Sequence, residues 1–301
     1  MNNNEYLKQI LESQTLSQES AELKNLQQNR EEVEKVLRDY FSKSSPTIRY
    51  GGSKAKGTMI REAYDLDIIC YFPNDDTAAG ETLKDIYENT GTALSKKYMV
   101  DKKPSALRVK NLDPKNLGVD FHIDVVPGRY TDDAKKDVFL YRASGEKERL
   151  KTNLDVHIAH VKDSGVTDAI RLLKLWRVRN GLQVKHFALE LLIIKLLQKE
   201  HLSSLSQQLT HVWKQLRDSI DDIAIEDPAN PTGNDISELL SLAIRIELSS
   251  AAKTALKTVA DSGWESIFGP VAEKSKDQKI EKLQKAAASV ITPTQPWSPD
   301  L

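Results

Sequence analysis

Seven consecutive residues, 66–72 (LDIICYF), are rich in isoleucine and aromatic side chains and are halted by Pro73 and Asn74. Such residues suit a pleated, half-buried surface, so the run predicts a strand. The sharper constraint lies at its start. Asp65 and Asp67 are two residues apart, and the strand period of two turns both carboxylates to one face. Bare carboxylates side by side repel each other, so a fold that keeps them there needs a cation. Without further context, an Asp-x-Asp pair also reads as the polar end of a surface strand.

The predicted strands all fall in the first half of the chain: 47–50 (TIRY), 66–72, 106–109 and 119–126. In the last, Phe121, Ile123 and Val125 alternate with Asp120, His122 and Asp124, and Pro127-Gly128 is expected to end it. Helical periodicity runs over 5–41, as one helix or as two with a restart around Ser17, Glu19 and Glu22, and again over 77–98. After about residue 150 the pattern turns helical, at 169–180, 186–200, 203–222, 235–260 and 272–288. The polar, Pro-rich stretch EDPANPTGND (226–235) connects two of these helices. The fold class is α+β: a mixed sheet flanked by helices, followed by a helical second half.

About fourteen residues before the aspartates the chain reads GGSKAKGT (51–58). Glycines let successive N–H groups point into one concavity that suits phosphate oxygens, and Ser53 adds a hydroxyl donor. Gly57-Thr58 is read as the start of the next helix. The stretch lacks the G-x-x-x-x-G-K-[ST] spacing of a Walker A loop and is not a dinucleotide fingerprint. Asp124 supplies a third carboxylate if its strand lies beside the first pair; Asp120 and His122 compete for that role. An oxygen-only donor set suits Mg²⁺ or Mn²⁺, and three carboxylates can hold two ions.

The 301-residue chain has a formal net charge of −1, which gives no global electrostatic case for binding nucleic acid. Its single cysteine, Cys70, excludes a disulfide within the chain and a cysteine-rich zinc site. The opening MNNNEYLKQILES lacks the basic start and apolar core of a signal peptide. The longest apolar run, near 187–197, is interrupted by Glu190 and Lys195, so no membrane span is expected. These features predict an intracellular protein.

The order GGS…KGT…D-x-D, followed by a strand carrying D-V-x-P, resembles the polymerase-β-type nucleotidyltransferase superfamily. More closely, the chain resembles the branch holding oligoadenylate synthetases, cyclic GMP-AMP synthases and the bacterial CD-NTases (SMODS family) of CBASS anti-phage systems. IRLLKLWRVRN (170–180) followed by FALELL (187–192) is similar to the helix pair after the catalytic domain of that branch. IEDPANPTGN (225–234) resembles an oligoadenylate synthetase segment. The resemblance implies a polymerase-β-like catalytic domain over 1–160 including the N-terminal helix and a helical domain over 161–290; the Pro-rich stretch 291–301 is expected to be a mobile tail.

It also implies roles. Asp65, Asp67 and Asp124 would be the catalytic, metal-binding carboxylates, with Asp124 activating the acceptor hydroxyl. Gly52 and Ser53 would hold the donor phosphates, and Lys56 would lie near the acceptor path. Lys174 would contact the triphosphate; its alternative is a lysine snorkelling along a helix face. His186 and Phe187 would touch phosphate and stack on the donor base, although His186 departs from the serine or glutamine expected there and Phe187 reads equally well as core. The implied substrates are ATP and other NTPs with two Mg²⁺ or Mn²⁺ ions. The implied product is a cyclic nucleotide acting on a downstream effector, made by a monomer in the bacterial cytoplasm. No zinc-binding insertion of the animal synthases is present, so activation by duplex nucleic acid is not expected. A protein- or tRNA-directed transferase, a linear oligonucleotide synthetase and a non-catalytic nucleotide-binding regulator are the alternatives.

Overall fold

A computed structural model describes residues 2–17, 20–111, 123–144 and 147–271. Asp120, His122, the helix expected at 272–288 and the tail at 291–301 lie outside the described residues.

The N-terminal region forms two helices. Helix α1 (Asn3–Ser13) starts on a capping box between Asn2 and Glu5. Helix α2 (Ala21–Tyr40) restarts at Ser20, whose hydroxyl oxygen accepts from Leu23 N–H at 3.2 Å. The restart is therefore at Ser20 rather than Ser17, because Ser20 satisfies an otherwise orphaned donor of the first turn.

Strands β1 (Thr47–Tyr50) and β2 (Leu66–Phe72) are where the sequence puts them. Between them, helix α3 (Gly52–Lys56) is a single turn set between Gly51 at its N-cap and left-handed Gly57 (φ 76°) at its C-cap. Gly57 thus ends a helix instead of beginning one; a left-handed residue satisfies the last carbonyls of a helix. Helix α4 (Leu83–Ser95) begins later than the periodicity at 77–98 suggests, because Thr82 and Asp85 form its capping box.

Five more strands follow: β3 (Tyr98–Lys102), β4 (Leu107–Asn111), β5 (Ile123–Tyr130), β6 (Val138–Tyr141) and β7 (Arg149–Thr152). Strand β5 does not stop at Pro127-Gly128. Pro127 and Gly128 pair with Cys70 and Tyr71 in a parallel ladder, and the small glycine lets β6 pass closely. A Cβ at Gly128 would stand 2.6 Å from Val138 Cγ1. Helices α5 (Leu154–Lys162), α6 (Thr167–Arg179), α7 (His186–Leu196), α8 (Leu205–Asp218), α9 (Leu242–Ser262) and α10 (Glu265–Phe268) complete the chain.

The sheet runs β1-β2-β5-β4-β3, with β6 on β5 and β7 on β6. Among the described residues only β2 and β5 pair in parallel. Since β2 occupies one edge of β5 from Ile123 to Arg129, β4 and β6 share its other edge end to end.

One face of the sheet is closed by α2 and α4. Leu66, Ile68, Cys70, Phe72, Ile123 and Val125 point into this core with Val33, Leu37, Ile86 and Leu94. The opposite face presents Asp67, Ile69 and Tyr71 in alternation. The helical half has its own core, in which Trp176 and Trp213 are buried. Helix α1 belongs to that core: Tyr6, Leu7, Ile10 and Leu11 bury against α6 and α8. The first helix of the chain thereby ties the start of the chain to its second half. Among the described residues no helix is long and apolar enough to cross a membrane.

Leu7 is fully buried in this core, whereas Lys8 is exposed. Leu7→Ala is expected to cost about 2–5 kcal/mol in urea unfolding, and Lys8→Ala less than about 0.5 kcal/mol. Equal effects would show that α1 is not part of the helical core.

Candidate active site

The parallel register of β2 and β5 puts Asp67 directly opposite Asp124. Strand β4 runs antiparallel on the far edge of β5 and puts Arg108 opposite the same aspartate. Residues directly opposite each other share a face, so Asp67, Asp124 and Arg108 form one row across three strands. Asp65 lies just before β2, at the mouth of the row, with its side chain 56% exposed.

The glycine turn closes over this row. Because β1 is antiparallel to β2, the end of β1 lies beside the start of β2, and Gly51 N–H donates to the Asp67 carbonyl at 2.8 Å. Gly52 has φ 49°, and a Cβ there would fall 1.6 Å from Asp67 Oδ2. The Asp67 carboxylate therefore lies against bare backbone, and only glycine leaves room for it. Ser53 follows in the same turn, half-buried, and its hydroxyl makes no hydrogen bond to any described residue.

Helices α6 and α7 supply the roof. Lys174 is 1% exposed and donates to the Thr58 carbonyl at 3.1 Å, with Glu190 Oε1 at 3.5 Å. Glu190, also 1% exposed, accepts from Thr58 Oγ1 at 2.6 Å and pairs with Lys56. Lys174 is thus no snorkelling surface lysine: its ammonium and that of Lys56 converge on a buried carboxylate. Burial works against the Glu190 charge, but the two lysines outweigh it and hold the carboxyl below its usual range. Burial pushes the Lys174 ammonium down, against the pull of Glu190.

Burial, then Asp124, then Asp65 push Asp67 up to about 6; Lys56 and Lys174 oppose this. Asp124 differs. Burial disfavours its charge too, but Arg108 and Lys103 bind both its oxygens and hold it below the ordinary carboxylate range. The sheet therefore keeps one aspartate ionised by direct ion pairing and leaves its neighbour short of positive charge.

His186 and Phe187 open α7 and are both half-buried. Arg177 Nη1 lies 2.8 Å from His186 Nε2, and burial with the nearby Lys174 and Arg177 pushes that imidazole down to about 4, so it is neutral and accepts from Arg177. Phe187 packs on the helical core, with His157 edge-on at 5.1 Å and Lys56 5.9 Å from its ring centre. Behind His157, Asp227 is buried: its oxygens take Ala229 N–H at 2.9 Å and Asn234 Nδ2 at 2.7 Å, with His157 Nε2 at 3.3 Å. Asn234 also donates to the Lys151 carbonyl at 2.8 Å. The DPANPTGN segment is thus a polar latch between the helical half and the end of β7.

Sequence reasoning misses Arg108, Lys103, Glu190, His157 and Asp227. Glu190 carries a signal, since a charge inside the apolar run 187–197 calls for a buried partner. Arg108 carries none until strand order and register are known.

Among the described residues no three His, Cys, Asp or Glu side chains converge as a ready-made metal cage. The donor set nevertheless fits a hard divalent ion. It is all oxygen, and Asp67 sits in a glycine cradle where burial and two neighbouring carboxylates disfavour its charge.

This sheet, with aspartates from two parallel central strands facing a glycine-flanked turn and a helical half above, is the polymerase-β-like nucleotidyltransferase fold. The chain belongs to the Second Messenger Oligonucleotide or Dinucleotide Synthetase domain family, which matches residues 1–164. It is a nucleotidyltransferase of the second-messenger class. No curated protein sequence matches the chain significantly.

Solved structures with similar folds include Escherichia coli MS115-1 CdnC with ATP, at 18% identity and a TM-score of 0.66 over 90% of this chain and 99% of that one. Bradyrhizobium diazoefficiens CD-NTase CdnG with GTP aligns at 14% identity and a TM-score of 0.63, over 95% and 98% of the two chains. Vibrio cholerae DncV cyclic AMP-GMP synthase, in complex with the linear intermediate 5′ pppA(3′,5′)pG, aligns at 17% identity and a TM-score of 0.57, over 79% and 72%.

Two outcomes follow from the electrostatics. A buried acid whose pKa is raised from 3.8 to about 6 binds more protons folded than unfolded, so its cost to stability is full above pH 6 and fades as pH falls towards 4. In EDTA, Asp67→Asn is expected to stabilise the protein by on the order of 1–2 kcal/mol at pH 7.5, with the gain gone near pH 4. Chemical denaturation at both pH values checks this. Glu190→Gln, which leaves two lysines facing a neutral amide, is expected to cost about 3 kcal/mol in the same measurement.

Proposed function

We propose that the protein is a metal-dependent nucleotidyltransferase that condenses NTPs into a cyclic di- or trinucleotide messenger for anti-phage signalling. Family membership supports the class of reaction. The observation that carries the site assignment is the Asp67–Asp124 register facing the Gly51–Gly57 turn.

In this reading Asp65, Asp67 and Asp124 would hold Mg²⁺ or Mn²⁺, which supplies charge neutralisation at the triphosphate and lowers the pKa of the attacking hydroxyl. Gly52 and Ser53 bind donor phosphate oxygens through a backbone N–H and the unpaired hydroxyl. Lys56 and Lys174, sharing one carboxylate between two ammonium groups, keep a net positive charge beside the triphosphate. Phe187 offers a ring face to the donor base, held by His157 behind it.

A ribose hydroxyl of the acceptor nucleotide attacks the α-phosphorus, a new phosphodiester forms, and the bond to the bridging oxygen breaks to release pyrophosphate. Asp124, ionised, is the acceptor facing the hydroxyl proton. Closure of the ring repeats the same step within one molecule. Catalysis by these residues is mainly positioning and charge stabilisation.

Incubation with all four NTPs and Mg²⁺ or Mn²⁺ is expected to release pyrophosphate and to yield a small phosphatase-resistant product seen by mass spectrometry. Asp65→Asn/Asp67→Asn should lower the rate at least 100-fold. Identical product profiles for wild type and the double variant would refute the site. Label transferred to protein or tRNA instead would refute the messenger.

A further inference from the structure

The Arg108 guanidinium lies between Asp124 and Asp65. Its Nε donates to Asp124 Oδ1 at 2.7 Å and its Nη2 to Asp124 Oδ2 at 2.9 Å, a two-pronged pair. The same Nη2 reaches Asp65 Oδ2 at 3.3 Å. Lys103 adds a second cation on Asp124 Oδ2 at 3.1 Å. The pairing is built into the sheet: Arg108 and Asp124 are cross-strand partners, and their side chains are only 22% and 13% exposed. Arg108 thus bridges two of the three acids. Asp67, which lies against Gly52, accepts no hydrogen bond from it.

We propose that Arg108 is a resident counter-cation that occupies the carboxylate site in the absence of metal and must release Asp124 before a divalent cation can be bound there. The proposal rests on the metal-binding role given to the aspartates above. A divalent ion coordinates carboxylate oxygens directly, at about 2.0–2.1 Å for Mg²⁺. The Asp124 oxygens are both engaged by N–H donors, and a guanidinium stays charged at any accessible pH. A +1 group and a +2 ion on the same carboxylate repel each other across a partly buried site, where screening is weak. The arrangement has two consequences. Without metal, the arginine offsets the repulsion that the parallel register forces on the acids. With a nucleotide, the displaced fork has a new partner, since guanidinium groups pair with phosphate oxygens as they do with carboxylates. Metal binding is therefore weak alone and strengthened by nucleotide, and Arg108 acts as a positioning residue that sets this coupling.

The test is Mn²⁺ binding to the full chain without nucleotide, read from the electron paramagnetic resonance of free Mn²⁺. Arg108→Gln removes the charge and is expected to bind Mn²⁺ at least tenfold more tightly than wild type, while Arg108→Lys stays within about threefold. In EDTA, Arg108→Gln should melt at a lower temperature than wild type, and saturating Mn²⁺ should remove the difference. Should Arg108→Gln fail to fold, Lys103→Met, at the more exposed second cation, is expected to tighten Mn²⁺ binding by a smaller factor. Equal or weaker Mn²⁺ binding in the charge-removing variant overturns the proposal while leaving the metal site intact. If no form of the protein binds Mn²⁺, even with ATP present, the metal role of the aspartates falls and the proposal falls with it.

Discussion

Two aspartates side by side on adjacent parallel strands dominate the organisation of this molecule. The β2–β5 register is enforced by hydrophobic packing: Leu66, Ile68, Ile123 and Val125 all turn into the core beneath α2 and α4. A slip of one residue would throw these side chains to the other face. The same register leaves Asp67 and Asp124 no choice but to be neighbours on the opposite face. Hydrophobic burial thus holds in place an electrostatic conflict, and the rest of the site reads as a set of responses to it.

The responses come from different parts of the chain. Strand β4 and the β3–β4 connection contribute Arg108 and Lys103 to Asp124. The β1–β2 connection brings bare glycine backbone against Asp67. From above, α6 and the glycine turn bring Lys174 and Lys56, held by Glu190 of α7. A buried carboxylate with two buried ammonium groups is costly to assemble and is weak evidence of stability in itself. Its value lies in fixing two cations near Asp67, as the proposed triphosphate site requires. The helical half is therefore part of the candidate site; α1 packs into its core, and the Asp227 latch fastens it to the end of β7.

Most of the site's acids and the glycine turn are legible from the sequence because each is local. Asp65 and Asp67 are expected on one face by strand period, although Asp65 proves to lie just before β2, and Gly51-Gly52 announce a turn by composition. The cations are less legible. Lys174 looks like any lysine on a helix until its burial is known, and Arg108 looks like any strand arginine until β4 is placed beside β5. Local rules also fail where tertiary contact overrides them. Pro127-Gly128 carries the usual mark of a strand end, yet β5 continues because β2 supplies a full ladder on one side and β6 needs the glycine on the other. Gly57 ends a helical turn rather than starting one, since α3 nucleates on Gly51 and β2 rather than on the sequence that follows.

By itself the sequence determined the periodicities: which residues alternate along a strand and which residues form the buried stripe of a helix. These depend on the geometry of one strand or one helix and so are written in consecutive residues. Only the tertiary structure decided which cation meets which carboxylate. Strand order, register and the docking of α6 and α7 bring together residues from five separate stretches of the chain. That convergence holds Asp124 ionised beside Arg108 and leaves Asp67 pushed up to about 6, though both are aspartates on neighbouring strands. Their difference follows from burial and from the distance to the nearest positive charge, which are properties of the folded molecule.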